Sequence, residues 1–88
     1  MTSVEEFSNS TKIEIMPNPA FEQVRISHEI GFKSLILYNM AGQKLLTEFS
    51  NNALFSSKML DVSNLPKGMY LLEIQIGNER FFEKLMKL

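Results

Sequence analysis

Hydrophobic and polar residues alternate one for one along much of this chain, the period of a strand with one face buried and the other in water. Lys12-Ile13-Glu14-Ile15 and Gln23-Val24-Arg25-Ile26-Ser27 both follow it, with Val24 and Ile26 expected to point inward. Ser34-Leu35-Ile36-Leu37-Tyr38-Asn39 is almost wholly apolar over a strand's length, which predicts a central strand covered on both faces. Residues 43–49 read as its hairpin partner, because Asn39-Met40-Ala41-Gly42 ends in a glycine that tolerates the positive φ of a short hairpin loop. Residues 54–57 and 58–62 predict two short strands or one longer one. The last third holds the most legible pair of strands, residues 69–76 and 80–88, joined through Gly77-Asn78-Glu79. Tyr70, Leu72, Ile74 and Ile76 form its apolar face, and Leu71, Glu73 and Gln75 are assigned to solvent. In the final strand two registers remain open, one burying Phe81 and Leu85, the other Phe82, Met86 and Leu88.

Between these runs lie residues that stop strands. Met16-Pro17-Asn18-Pro19-Ala20 lacks two backbone donors and predicts a stiff corner. His28-Glu29-Ile30-Gly31 reads as a connection and Ser50-Asn51-Asn52-Ala53 as a loop. Leu65-Pro66-Lys67-Gly68 reads as a turn, with Pro66 fixing φ at its second position and Gly68 leaving it. Turn signals recur roughly every 8 to 12 residues, and no helical period persists for a helix's length. The expectation is an all-β, mainly antiparallel sandwich of about seven strands.

Composition narrows what such a domain can do. Its 88 residues, 44% hydrophobic, support one modest core. Nine basic against ten acidic residues leave a net charge of -1, too little field to steer nucleic acid. Cysteine is absent, which excludes disulfides and thiolate chemistry. No apolar run approaches the ~20 residues of a membrane-spanning helix. Residues 1–11 are polar and acidic, unlike a secretory leader, and read as a linker or an artificial chain start ahead of a domain at residues 12–88.

Catalytic chemistry finds little footing. His28 is the sole histidine, and no nucleophile or orienting partner is identifiable for it, so it reads as structural. The carboxylates are dispersed without metal-ligand spacing, and no glycine opens a helix as a phosphate loop does. The expectation is a non-enzyme without cofactor or metal. Seven of the nine aromatics are Phe and none is Trp, so core packing is expected for most of them, and the six Met are expected to fill gaps in the core. Arg80, Lys84 and Lys87 give the last strand a basic edge, suited either to discouraging edge pairing or to recognition. Exposed edges at residues 12–16 or 80–88 would also allow a homodimer.

Three segments, in order, resemble the type A C-terminal sorting domain of the type IX secretion system of Bacteroidetes-type bacteria. They are Met16-Pro17-Asn18-Pro19-Ala20, Leu37-Tyr38-Asn39-Met40-Ala41-Gly42-Gln43-Lys44-Leu45, and the stretch from Leu60-Asp61-Val62 through Leu65-Pro66-Lys67-Gly68-Met69-Tyr70-Leu71-Leu72 to a lysine-bearing final strand. Met16 departs from the family, which usually carries an aromatic residue there. The resemblance implies an immunoglobulin-like β-sandwich fused behind a larger cargo, read by the outer-membrane translocon and commonly cleaved off by a sortase-like signal peptidase. It also implies transit through the periplasm, then the cell surface or the medium. The recognition and turn residues carried over are Pro17, Asn18, Pro19, Gly42, Leu65, Pro66, Gly68, Tyr70, Lys84, Lys87 and Leu88. The alternative, from fold class and aromatic content, is a carbohydrate-binding or adhesive β-sandwich module.

Overall fold

The computed structural model describes residues 13–51 and 53–88, so the linker expected at residues 1–11, Lys12 of the first expected strand and Asn52 of the loop expected at residues 50–53 lie outside the described residues. Seven strands follow in order: β1 (Glu14–Met16), β2 (Gln23–Phe32), β3 (Ser34–Tyr38), β4 (Lys44–Phe49), β5 (Phe55–Asp61), β6 (Gly68–Ile76) and β7 (Glu79–Lys87). They form two antiparallel sheets, β1-β2-β5 and β4-β3-β6-β7. The chain is an all-β sandwich. Its two inner faces supply a core of Val24, Ile26 and Phe32 from β2, Leu35 and Leu37 from β3, Leu60 from β5, Tyr70, Leu72 and Ile74 from β6 and Leu85 from β7, with Ala20 and Val62 closing it from the loops. The alternation of β6 places its core residues as expected, because a period of two on a half-buried strand leaves one register that buries them.

The open choices resolve. Residues 55–61 are one strand, paired along β2 from Gln23↔Asp61 to Phe32↔Phe55. In β7 the register Ile74↔Phe81 and Tyr70↔Leu85 puts Phe81 and Leu85 on the inner side and leaves Phe82 and Met86 exposed.

Three expectations are corrected. Residues 28–31 are not a connection but the second half of β2, which runs on to Phe32 through a bulge between Ser27 and Phe32. A bulge frees backbone donors from the ladder, and the buried His28 imidazole takes them: its Nδ1 accepts the N–H groups of Ile30 at 3.2 Å and Gly31 at 3.4 Å. Gly31 holds φ +107° there, and a Cβ at that position would lie 2.9 Å from Leu54 Cβ, so only glycine fits. Strand β3 is central but not covered twice: Leu35 and Leu37 are buried, while Ile36 and Tyr38 on its outer face are half-buried. A two-layer sandwich has a second sheet on one side of each strand, and an apolar outer residue is then shielded only by its neighbours.

Finally, Glu73 does not sit in solvent. It is only 8% exposed although it lies on the outer face of β6. Tyr38 Oη donates to its Oε1 at 2.6 Å, and Arg80 Nε lies 3.3 Å from its Oε2, so the desolvated carboxylate is paired on both oxygens. The same hydrogen bond raises the Tyr38 phenol above its ordinary value, with burial and the carboxylate charge adding to it.

Candidate functional site

Most of the residues singled out in the sequence meet at one end of the sandwich, around the last residues of β7. Antiparallel pairing runs Gly68↔Lys87, Tyr70↔Leu85 and Leu71↔Lys84. Tyr38 pairs with Leu71 in turn, so the β3–β4 turn leaves the sheet at this same end.

The Pro17-Asn18-Pro19 corner is a clamp on the edge of β7. Its prolines offer no donors, and Asn18 supplies what they lack: its side-chain Nδ2 donates to the Lys84 carbonyl at 3.1 Å, and its Oδ1 accepts the Met86 N–H at 3.0 Å. One amide thereby mimics a residue of a neighbouring strand. Ala20, buried completely, continues the mimicry with backbone bonds, its N–H donating to the Met86 carbonyl at 2.8 Å and its carbonyl accepting the Leu88 N–H at 2.8 Å. Asn18→Ala removes both side-chain bonds but leaves the exposed β7 groups to water. The expected loss is about 1–2 kcal/mol in denaturant unfolding, with faster amide exchange at Met86 as the local signature.

The turn before β6 differs from its expected form. The closed turn lies earlier, with Leu65 N–H donating to the Val62 carbonyl at 3.1 Å, and residues 65–67 follow as an open bend. Asp61 sets it up by accepting from the backbone N–H and hydroxyl of Ser63, bonds that hold its carboxyl below the ordinary range. Because Leu65 makes no turn bond with its carbonyl, that oxygen is free for Lys87, whose Nζ donates to it at 3.2 Å and to the Leu88 carbonyl at 3.3 Å. Lys87 is 9% exposed, so it is not part of a basic edge as its sequence position implied. Strand alternation turns it to the inner face beside Gly68, at the open end of the core, where its stem is covered and its ammonium meets carbonyls. Tyr70 Oη donates to the Pro66 carbonyl, tying the other side of the bend to β6. Gly68 enters β6 at φ +144° with no atom within 4 Å of a would-be Cβ, so the constraint there is backbone conformation and not space.

Gly42 stands apart from this cluster of bonds. It closes the β3–β4 hairpin, its N–H donating to the Asn39 carbonyl at 3.0 Å at φ +88°. Asn39 Oδ1 also accepts the N–H groups of Ala41 and Gln43, both at 3.0 Å. This turn borders a shallow cleft on the outer face of the four-stranded sheet, shared with Tyr38, Leu71, Glu73 and Phe82. Lys84 and Leu88 are exposed, Lys84 on that same outer face.

The aromatic and methionine expectations fail in an informative way. Met1 and Phe7 lie outside the described residues; among those described, Phe32 and Tyr70 are the buried rings, Tyr38, Phe55 and Phe81 are half-buried, and Phe21, Phe49 and Phe82 are 66%, 65% and 55% exposed. Met16, Met40, Met59 and Met86 are exposed as well. Two small sheets have few inward positions, and branched aliphatics fill them; the larger side chains fall on outer faces and edges. Met16, Arg25 and Met59 form one cross-strand row on the outer face of the three-stranded sheet, lining an open groove with Pro17 and Asn18. For those within strands, such as Met59, Phe82 and Met86, the signal was parity, since they alternate with inward-facing residues; Phe21 and Met40 lie outside the strands.

A family model described as the secretion system C-terminal sorting domain matches residues 14–88, which takes in every described strand. No curated protein matches the chain.

Proposed function

The chain belongs to the secretion system C-terminal sorting domain family, and from that premise we propose that residues 12–88 are the folded address of a larger exported protein. Residues 1–11 are then the linker to the cargo that precedes it. The address is a type IX sorting signal, non-catalytic, whose work is to be recognised. In this reading the cargo crosses to the periplasm first, the outer-membrane translocon then binds the domain, and a sortase-like peptidase cuts it away as the cargo reaches the cell surface or the medium.

The observation that supports this best is the convergence at β7. Asn18, Ala20, Leu65 and Gly68 are spread along the chain, yet each bonds to or pairs with one or more of residues 84–88. A motif set spent on shaping one end of one strand fits a surface that another protein reads. A sugar-binding module is less well supported, because the exposed rings are phenylalanines scattered over different parts of the fold.

The test is a fluorescent reporter carrying a secretory leader and followed by residues 12–88, expressed in a bacterium that has the secretion system. The reporter is expected on the cell surface or in the medium, and to stay in the periplasm when the translocon gene is deleted. Periplasmic retention of the intact fusion in the wild-type strain would sink the proposal.

A further inference from the structure

The clamp covers only half of the β7 edge. Met86 and Leu88 direct their backbone groups away from β6, toward Asn18 and Ala20, and Lys84 directs its carbonyl the same way. Alternation along an antiparallel ladder then turns the N–H and C=O groups of Phe82 and Arg80 outward too, since the pairing with β6 continues without a bulge to Ile76↔Glu79. Among the described residues nothing bonds to them. The open stretch is an unpaired strand edge that carries an exposed Phe82, the arrangement that accepts an added strand.

The side chains say what kind of strand fits. On the outer face the open stretch presents Arg80, Phe82 and Lys84 in succession, with Arg80 held to Glu73 through its Nε and 66% exposed. A second copy of the same edge fits badly. A two-fold pairing centred on Phe82 sets Arg80 against Lys84 of the other copy, and one centred on Arg80 sets two arginines together. Centring on Phe81 brings Glu83 against Glu79, and centring on Glu83 opposes two glutamates. Every such register faces like charges across a rung, which destabilises the pair. An acidic residue, one spacer, an apolar residue, one spacer and a second acidic residue complements the edge read in either direction.

We propose that the open Arg80–Phe82–Lys84 edge of β7 takes, as a fifth strand, an extended segment of a different protein with acidic side chains flanking an apolar one. This deepens the sorting reading by naming the chemistry of the partner segment, and it rests on that reading only for the partner's place in export. The probe is a capped peptide, Thr-Glu-Thr-Val-Thr-Glu-Thr, titrated into the isotope-labelled 88-residue chain, beside the same peptide with Lys in place of both Glu.

The acidic peptide is expected to give saturable shifts and slowed amide exchange at Arg80 and Phe82, weakening as salt is raised. The lysine peptide should bind roughly tenfold or more weakly. Phe82→Pro removes an outward donor without breaking a β6–β7 bond, and should abolish binding in a folded chain. Should that variant not fold, Arg80→Glu with Lys84→Glu replaces it, and there the preference is expected to invert toward the lysine peptide. Equal binding of the two peptides, shifts confined to the Met16–Met59 groove, or no protection at Arg80 and Phe82 would each overturn the proposal. Failed export of the wild-type reporter with peptide binding intact would overturn the sorting role alone.

Discussion

A chain ending at Glu83, without residues 84–88, is expected to lose cooperative folding and not merely its signal. The deletion removes Leu85, which is fully buried, and truncating one such side chain alone costs about 2–5 kcal/mol. It also strips the partners of Asn18, Ala20 and the Leu65 carbonyl, each bond worth about 0.5–1.5 kcal/mol net. Together these approach the ~5–15 kcal/mol that holds a small domain. The expected observation is collapsed amide dispersion in NMR and no sharp thermal transition, with the reporter fusion retained in the periplasm. A truncated chain that melts cooperatively near the parent's midpoint would show that β7 beyond Glu83 is dispensable to the sandwich.

Phe32→Ala is the second large effect, expected to lower stability by about 3–5 kcal/mol. Phe32 is 0% exposed, and its ring lies 5.5 Å from that of Phe55 at a tilt of 51°. It stands just past the β2 bulge, where His28 and Gly31 have already used side-chain bonds and a positive φ to hold the backbone, so little freedom remains for the cavity to close. Guanidinium titration should show a lower midpoint with an unchanged slope. A shift equivalent to less than about 1 kcal/mol would mean that the β2–β5 margin repacks freely.

These two variants also mark where sequence patterning carried and where it did not. The inner row of β6, Tyr70, Leu72 and Ile74, is legible because strict alternation leaves one answer. Leu85 was one of two choices, since Phe81 and Phe82 are adjacent and equally apolar; the clamp at Met86 and the pairing with β6 select between them. Phe32 was hidden behind His28-Glu29-Ile30-Gly31, which has the composition of a loop, because a bulge shifts the parity and a buried imidazole looks polar in one letter. Glu73 and Lys87 illustrate the same limit: both are charged and both are covered, through partners distant in the chain. The prolines and glycines were readable as stops, but that Asn18 between two prolines would serve as a piece of strand for β7 depends on a contact 66 to 68 residues away.

That distance bears on when the domain can come into being. Bonds between residue 18 and residues 84 and 86 close a loop of 66 to 68 residues, so they belong to the slow, non-local class of contacts. Until β7 is in place the corner has nothing to grip, and β6 is paired on its β3 side alone. A polypeptide cut before residue 84 carries every earlier motif but lacks Leu85 and the backbone groups that Asn18 and Ala20 grip, so completion of the fold is gated by residues 84–88.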